Sequence, residues 1–139
     1  MALPRRRYTV GMAKSDAFPE TFRTLRAILE RHRGPMLVTA DTPTDYQLAS
    51  PTMVDRTGRP LFAAAVQIKK NYVSFHFMPI YMNPALRESL SPALRKRMQG
   101  KGCFNFSTID PADARELAML TRKGVAGFKN LKLPWAQSL

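Results

Sequence analysis

Residues 59–81 constrain this chain more than any other stretch. They read Arg-Pro-Leu-Phe-Ala-Ala-Ala-Val-Gln-Ile-Lys-Lys-Asn-Tyr-Val-Ser-Phe-His-Phe-Met-Pro-Ile-Tyr. Two apolar runs flank Lys69, Lys70 and Asn71. Val73, Phe75 and Phe77 alternate with Tyr72, Ser74, His76 and Met78. A period of two is the mark of a strand with one face turned inward. The stretch therefore predicts a β-hairpin with a tight turn at Lys69-Lys70-Asn71.

The flanking sequence extends that hairpin into a meander. Met36 to Ala40 predicts a short strand, Asp41-Thr42-Pro43-Thr44 a turn, and Tyr46 to Ala49 a second short strand broken by Ser50-Pro51. Thr52 to Asp55 and Leu61 to Lys69 flank Arg56-Thr57-Gly58-Arg59, where Gly58 supplies the positive φ of a hairpin loop. Ahead of the sheet, Asp16 is the expected cap of a helix carrying Phe18, Phe22, Leu25, Ile28 and Leu29 at helical spacing. Gly34-Pro35 stops that helix. His32 falls in its last turn, where the dipole favours a cation. Beyond the sheet, Asn83-Pro84 and Ser91-Pro92 each pair a cap with a proline at the first helical position. The second helix is expected over Ala93 to Met98. Gly100-Lys101-Gly102 is a turn, and Cys103-Phe104-Asn105-Phe106 alternates as one more strand. Asp110-Pro111-Ala112-Asp113 starts a last helix with Ala114, Leu117, Ala118 and Thr121 on its apolar face. Gly124 is its expected end. Phe128, Leu131, Leu133 and Trp135 form a tail expected to dock.

Length and charge bound the possibilities. A chain of 139 residues makes one domain with a real core. The single cysteine, Cys103, excludes an intramolecular disulfide and points to a reducing compartment. Arg5, Arg6 and Arg7 are followed by no apolar run, so residues 1–14 are read as a loose basic arm rather than a secretory signal. Lysine and arginine number 22 against 10 acids, a formal charge of +12. Such a chain is drawn to polyanions. Its positive residues are spread out, with no block of five like charges and no nucleic-acid recognition motif.

Residues 61–81, the Ser91 to Lys101 segment Ser-Pro-Ala-Leu-Arg-Lys-Arg-Met-Gln-Gly-Lys, and the Phe-Asn-Phe strand after Cys103 together resemble the YdhG-like family of small bacterial domains. The resemblance covers about residues 55–124. It implies an antiparallel sheet backed by helices and brings no established reaction. Some members of that family resemble frataxin-type iron chaperones, which in that analogy bind iron through exposed carboxylates. Here the ten acids are scattered on a basic chain. No iron site is carried over, because a hard ion needs oxygen or imidazole ligands in a cluster.

Parity sorts the sheet into two faces. Phe62, Ala64, Val66, Ile68, Val73, Phe75, Phe77, Phe104 and Phe106 form the expected core set. Ala63, Ala65, Gln67, Tyr72, Ser74, His76, Cys103 and Asn105 form the other. A half-wet face is the default for such a set. Its alternative is a shallow polar pocket, with Tyr72, His76, Cys103 and Asn105 as candidate ligand contacts and Lys101 beside them. Cys103, His76 and Asn105 are also the residue types of thiol catalysis, which needs the imidazole within reach of the sulfur. Arg95, Lys96 and Arg97 make the densest basic cluster and a candidate anion patch, against the default of a solvated helix face.

The expected fold is α+β: an antiparallel sheet of about five strands packed against helices, YdhG-like, over residues 15–139. The expected function is non-enzymatic binding of a small, anionic ligand or of a protein partner. The alternatives are a nucleic-acid-associated basic protein, a thiol-dependent enzyme using Cys103, and an iron chaperone by family analogy, which the charge disfavours. No cofactor, metal or membrane partner is expected, and a cytoplasmic location is.

Overall fold

In a computed structural model, residues 14–128 and the backbone of Gln137–Ser138 are described. A 3-10 turn, Lys14–Ala17, leads into α1, Phe18–His32. Phe18, Phe22, Leu25, Ile28 and Leu29 all face inward, as their spacing predicts, and Thr21 joins them. Its Oγ1 donates to the Ser107 carbonyl at 2.8 Å and ties the helix to the loop after the sheet. The N-cap position is Ala17 rather than Asp16, with Pro19 inside the first turn and no side-chain cap. Gly34, at φ +56°, follows the C-cap Arg33 in the left-handed conformation that ends the helix.

The sheet is antiparallel throughout. Its strands are β1 Leu37–Thr42, β2 Asp45–Val54, β3 Pro60–Ile68, β4 Val73–Phe77, β5 Met98–Gln99, β6 Cys103–Phe106 and β7 Gln137–Ser138. Their order is β1-β2-β3-β4-β6-β5, with β7 pairing the end of β2 at Met53 and Val54. The α+β class is thus observed. The five strands of four residues or more are joined by the two-residue β5 and β7.

Ser50-Pro51 does not break β2. The buried Ser50 Oγ accepts from the backbone N–H of Thr52 at 3.1 Å and of Met53 at 3.0 Å. These bonds stand in for ladder partners while the pairing to β3 jumps from Ala49–Phe62 to Val54–Pro60. A strand can therefore pass a proline where a side chain accepts the freed donors. The Arg56–Arg59 loop forms as expected: Asp55 Oδ1 accepts from Thr57 N–H, Thr57 Oγ1 and Arg59 N–H, and Gly58 takes φ +87°.

Three short helices cross from β4 to β5. α2, Met78–Met82, is not expected from the sequence, whose alternation runs to Met78 as strand. Pro79 sits at the second helical position, where a missing N–H costs nothing. α3, Pro84–Glu88, is capped by Asn83 Oδ1, and α4, Pro92–Arg95, by Ser91 Oγ, as predicted. α4 ends at Arg95, short of Met98, which enters β5 instead. Glu116 on the last helix, α5 Pro111–Phe128, fastens that region: its carboxylate accepts from Ser91 N–H at 2.8 Å and Ser91 Oγ at 2.6 Å.

α5 starts with Asp110 Oδ1 accepting the Asp113 N–H at 2.9 Å. It runs through Gly124 instead of ending there. Its Leu117, Leu120, Val125 and Phe128 pack with the inward residues of α1 and with Tyr46, Leu48, Val66, Val73, Phe75, Phe77, Phe104 and Phe106 of the sheet. Each buried aliphatic or aromatic chain contributes roughly 1.5–3 kcal/mol. Both long helices thus cover one face of the sheet. Of the arm read over residues 1–14, Lys14 instead opens the 3-10 turn, and residues 1–13, like Leu131, Leu133 and Trp135 of the tail, lie outside the described residues.

Candidate functional site

The face that neither α1 nor α5 covers, among the described residues, is built by strand alternation. Along one row, Gln47 pairs with Ala65, Ala65 with His76, His76 with Cys103, and Cys103 with Gln99. The next row runs Asp45, Gln67, Ser74, Asn105. Residues directly opposite on antiparallel strands stand about 4.5–5.5 Å apart at Cβ and point to the same side. Sequence spacing alone leaves His76 and Cys103 unrelated; the β4–β6 register makes them neighbours.

One residue changes sides. Leu48 pairs with Ala64 but Ala49 pairs with Phe62, so β3 carries an extra residue at Ala63. Such a bulge reverses the parity beyond it. Ala63 joins the core, and Phe62 turns to the open face, a correction to its expected place among the core residues. Its ring meets His76 edge-on, 5.3 Å between centroids at 83°. With Ala49 and Leu37 in register, Phe62 makes this end of the face apolar. Leu37, on the edge strand, is exposed.

The opposite end is polar. Asp45 accepts from Gln47 Nε2 at 3.0 Å and from Gln67 Nε2 at 3.1 Å. Lys69 stands at the hairpin turn, its N–H donating to the Tyr72 carbonyl at 2.8 Å. Its ammonium acts on both His76 and Cys103. Desolvation by the sheet surface holds the His76 imidazole below its ordinary value, and Lys69 adds to that. Burial pushes the Cys103 thiol up, with Lys69 opposing. The thiol donates to Asn105 Oδ1 at 3.7 Å. At neutral pH this is a neutral thiol beside a neutral imidazole, not the thiolate–imidazolium pair that nucleophilic catalysis uses.

The other candidates are distributed around this face. Tyr72 is half-buried, two residues ahead of Ser74. Lys101 is exposed in the β5–β6 turn, between Gly100 at φ +73° and Gly102. The basic cluster lies elsewhere and is partly committed to structure. Arg95 Nη2 donates to the carbonyls of Arg87 at 3.2 Å and of Glu88 and Leu90 at 3.4 Å, closing the end of α3. Arg97 lies over the Phe106 ring at 5.9 Å. Lys96 is exposed. His32 ends α1 as expected; burial, then Arg31 and Arg122, lower its pKa.

Sequence reasoning does not single out Phe62, Asp45, Gln47 or Lys69 for this face. Asp45-x-Gln47 carries a usable signal, the same alternation as Ser74-x-His76 in β4. Among the described residues no cluster of three or more His, Cys, Asp or Glu is placed to hold a metal, and no helix is long and apolar enough to cross a membrane. The chain matches no protein-family model, no curated protein and no solved structure.

Proposed function

We propose that the protein is a non-enzymatic, YdhG-like binding domain whose open sheet face takes a small anionic ligand. The observation that carries this reading is the His76–Cys103 pair, walled by Phe62 and lying in the field of the Lys69 ammonium. Phe62 offers an apolar wall, Asn105 and Ser74 offer hydrogen bonds, and Lys69 offers charge. Few polar groups on an apolar floor are what orient a small ligand. Lys101, in the turn that delivers Cys103 to the face, is the second cation in this reading. Tyr72 closes the polar end. The raised thiol pKa favours binding over thiol catalysis.

The test is native mass spectrometry of gently purified protein, with a thermal-shift panel of citrate, glutarate and adenosine monophosphate. Expected are a bound mass or a stabilising panel member, both lost in the His76→Ala/Tyr72→Phe variant while its own melting temperature stays near wild type. Stabilisation that survives this variant, or none from any source, overturns the reading.

A further inference from the structure

On the covered side of the sheet, α1 and α5 do not close completely. Between them lies a groove of about 290 Å³. Its floor is Ile28 of α1 with Ala114 and Ala118 of α5; the exposed Ala27 lies at its edge, and Thr24, whose hydroxyl already donates to the Glu20 carbonyl at 3.1 Å, also lines it. Its rim carries Arg31 from one helix and Arg115 from the other. The ion pairs among the described residues are Arg26–Asp41 and Arg33–Glu30, so neither rim guanidinium is neutralised there. Arg122, further along α5, adds a third cation: it and Arg31 both lower the pKa of His32, which also lines the groove.

Two properties together define what fits. Guanidinium forks on opposite walls match the oxygens of a carboxylate or phosphate. An alanine-lined floor has no hydrogen bonds to give and takes an apolar body. The volume is at the small end of ligand pockets, which start at about 300 Å³. A nucleic-acid backbone would use the cations and leave the floor unused.

We infer that the α1–α5 groove is a binding site for a small amphipathic anion, its carboxylate or phosphate held between Arg31 and Arg115 and its apolar body on the alanine floor. This site is separate from the sheet face and does not rest on the reading given for it.

The test is an amide-resolved NMR titration with phenyl phosphate, benzoate and the neutral benzyl alcohol. Saturable shifts confined to residues 24–32 and 114–118 are expected with one or both anions, and the better of the two assigns phosphate or carboxylate. The Arg31→Ala/Arg115→Ala variant should weaken binding about tenfold or more, since charge-assisted hydrogen bonds from the two guanidinium groups hold the anion. Ala27→Trp, on an exposed position, should block the floor while keeping every charge. Equal shifts from benzyl alcohol, binding untouched by either variant, or groove shifts from a DNA oligonucleotide alone would each overturn the inference. The His76→Ala/Tyr72→Phe variant should leave this titration unchanged, so the two sites fail or stand separately.

Discussion

Gly124 of α5 lies directly against the ring of Phe77. A Cβ at position 124 would stand 2.5 Å from Phe77 Cε2, 2.7 Å from Cζ and 2.9 Å from Pro79 Cβ. Phe77 is itself a core residue at 1% exposure, so its ring has nowhere to retreat. Glycine here is a packing requirement, not a helix terminator.

The Gly124→Ala variant puts two effects in opposition. Helix propensity favours alanine by about 1 kcal/mol. Overpacking costs about 1–3 kcal/mol and prevails at contacts this short. Urea denaturation should show a net loss of up to about 2 kcal/mol. A more stable variant would show that α5 can move off the sheet.

Ser50→Ala tests how β2 passes its proline. Removing Oγ takes the acceptor from the Thr52 N–H, in an exposed residue, and from the buried Met53 N–H. A buried unsatisfied donor costs about 1–3 kcal/mol. Chemical denaturation should show a loss in that range, and hydrogen exchange at Met53 should accelerate. An unchanged Met53 protection factor would mean the bulge holds without the side chain.

The Tyr46 phenol is fully buried and donates to Glu30 Oε1, with the Arg26 guanidinium 4.5 Å from its ring centroid. Burial, the hydrogen bond to Glu30 and that carboxylate's charge raise its pKa from 10.0 to about 12. The folded state then holds a proton that the unfolded state loses first. Its contribution to stability is complete below pH 10 and disappears as pH rises from 10 towards about 12. Spectrophotometric titration should show one phenol ionising in that upper range, and Tyr46→Phe should remove that step. A titration in which Tyr46→Phe removes a step at pH 10 would contradict the buried pair.

Cys103 decides between binding and thiol chemistry. Burial raises its pKa, so near neutral pH its thiolate population falls below that of an unhindered thiol. Reaction with 5,5′-dithiobis(2-nitrobenzoate) should be slower than that of glutathione. His76→Gln should leave the rate essentially unchanged, because the thiol donates to Asn105. A rate above glutathione that collapses in His76→Gln would restore the enzyme reading.

Local chemistry is legible in the order of residues alone. The β3–β4 hairpin, the Asn83, Ser91 and Asp110 caps and the inward stripe of α1 each depend on residues a few positions apart, and each forms where its residues stand. Alternation likewise separates most of the open face from the core. Other features depend on partners far along the chain. The Ala63 bulge turns Phe62 over, the β4–β6 register sets Cys103 opposite His76, and the α1–α5 approach leaves Arg31 and Arg115 on the rim of one groove. The passage of α5 through Gly124 is decided by Phe77, a contact between residues distant in sequence. Periodicity states which way a side chain points relative to its own backbone. Only the packed sheet and helices determine what it meets there, and both candidate binding sites are made of such meetings.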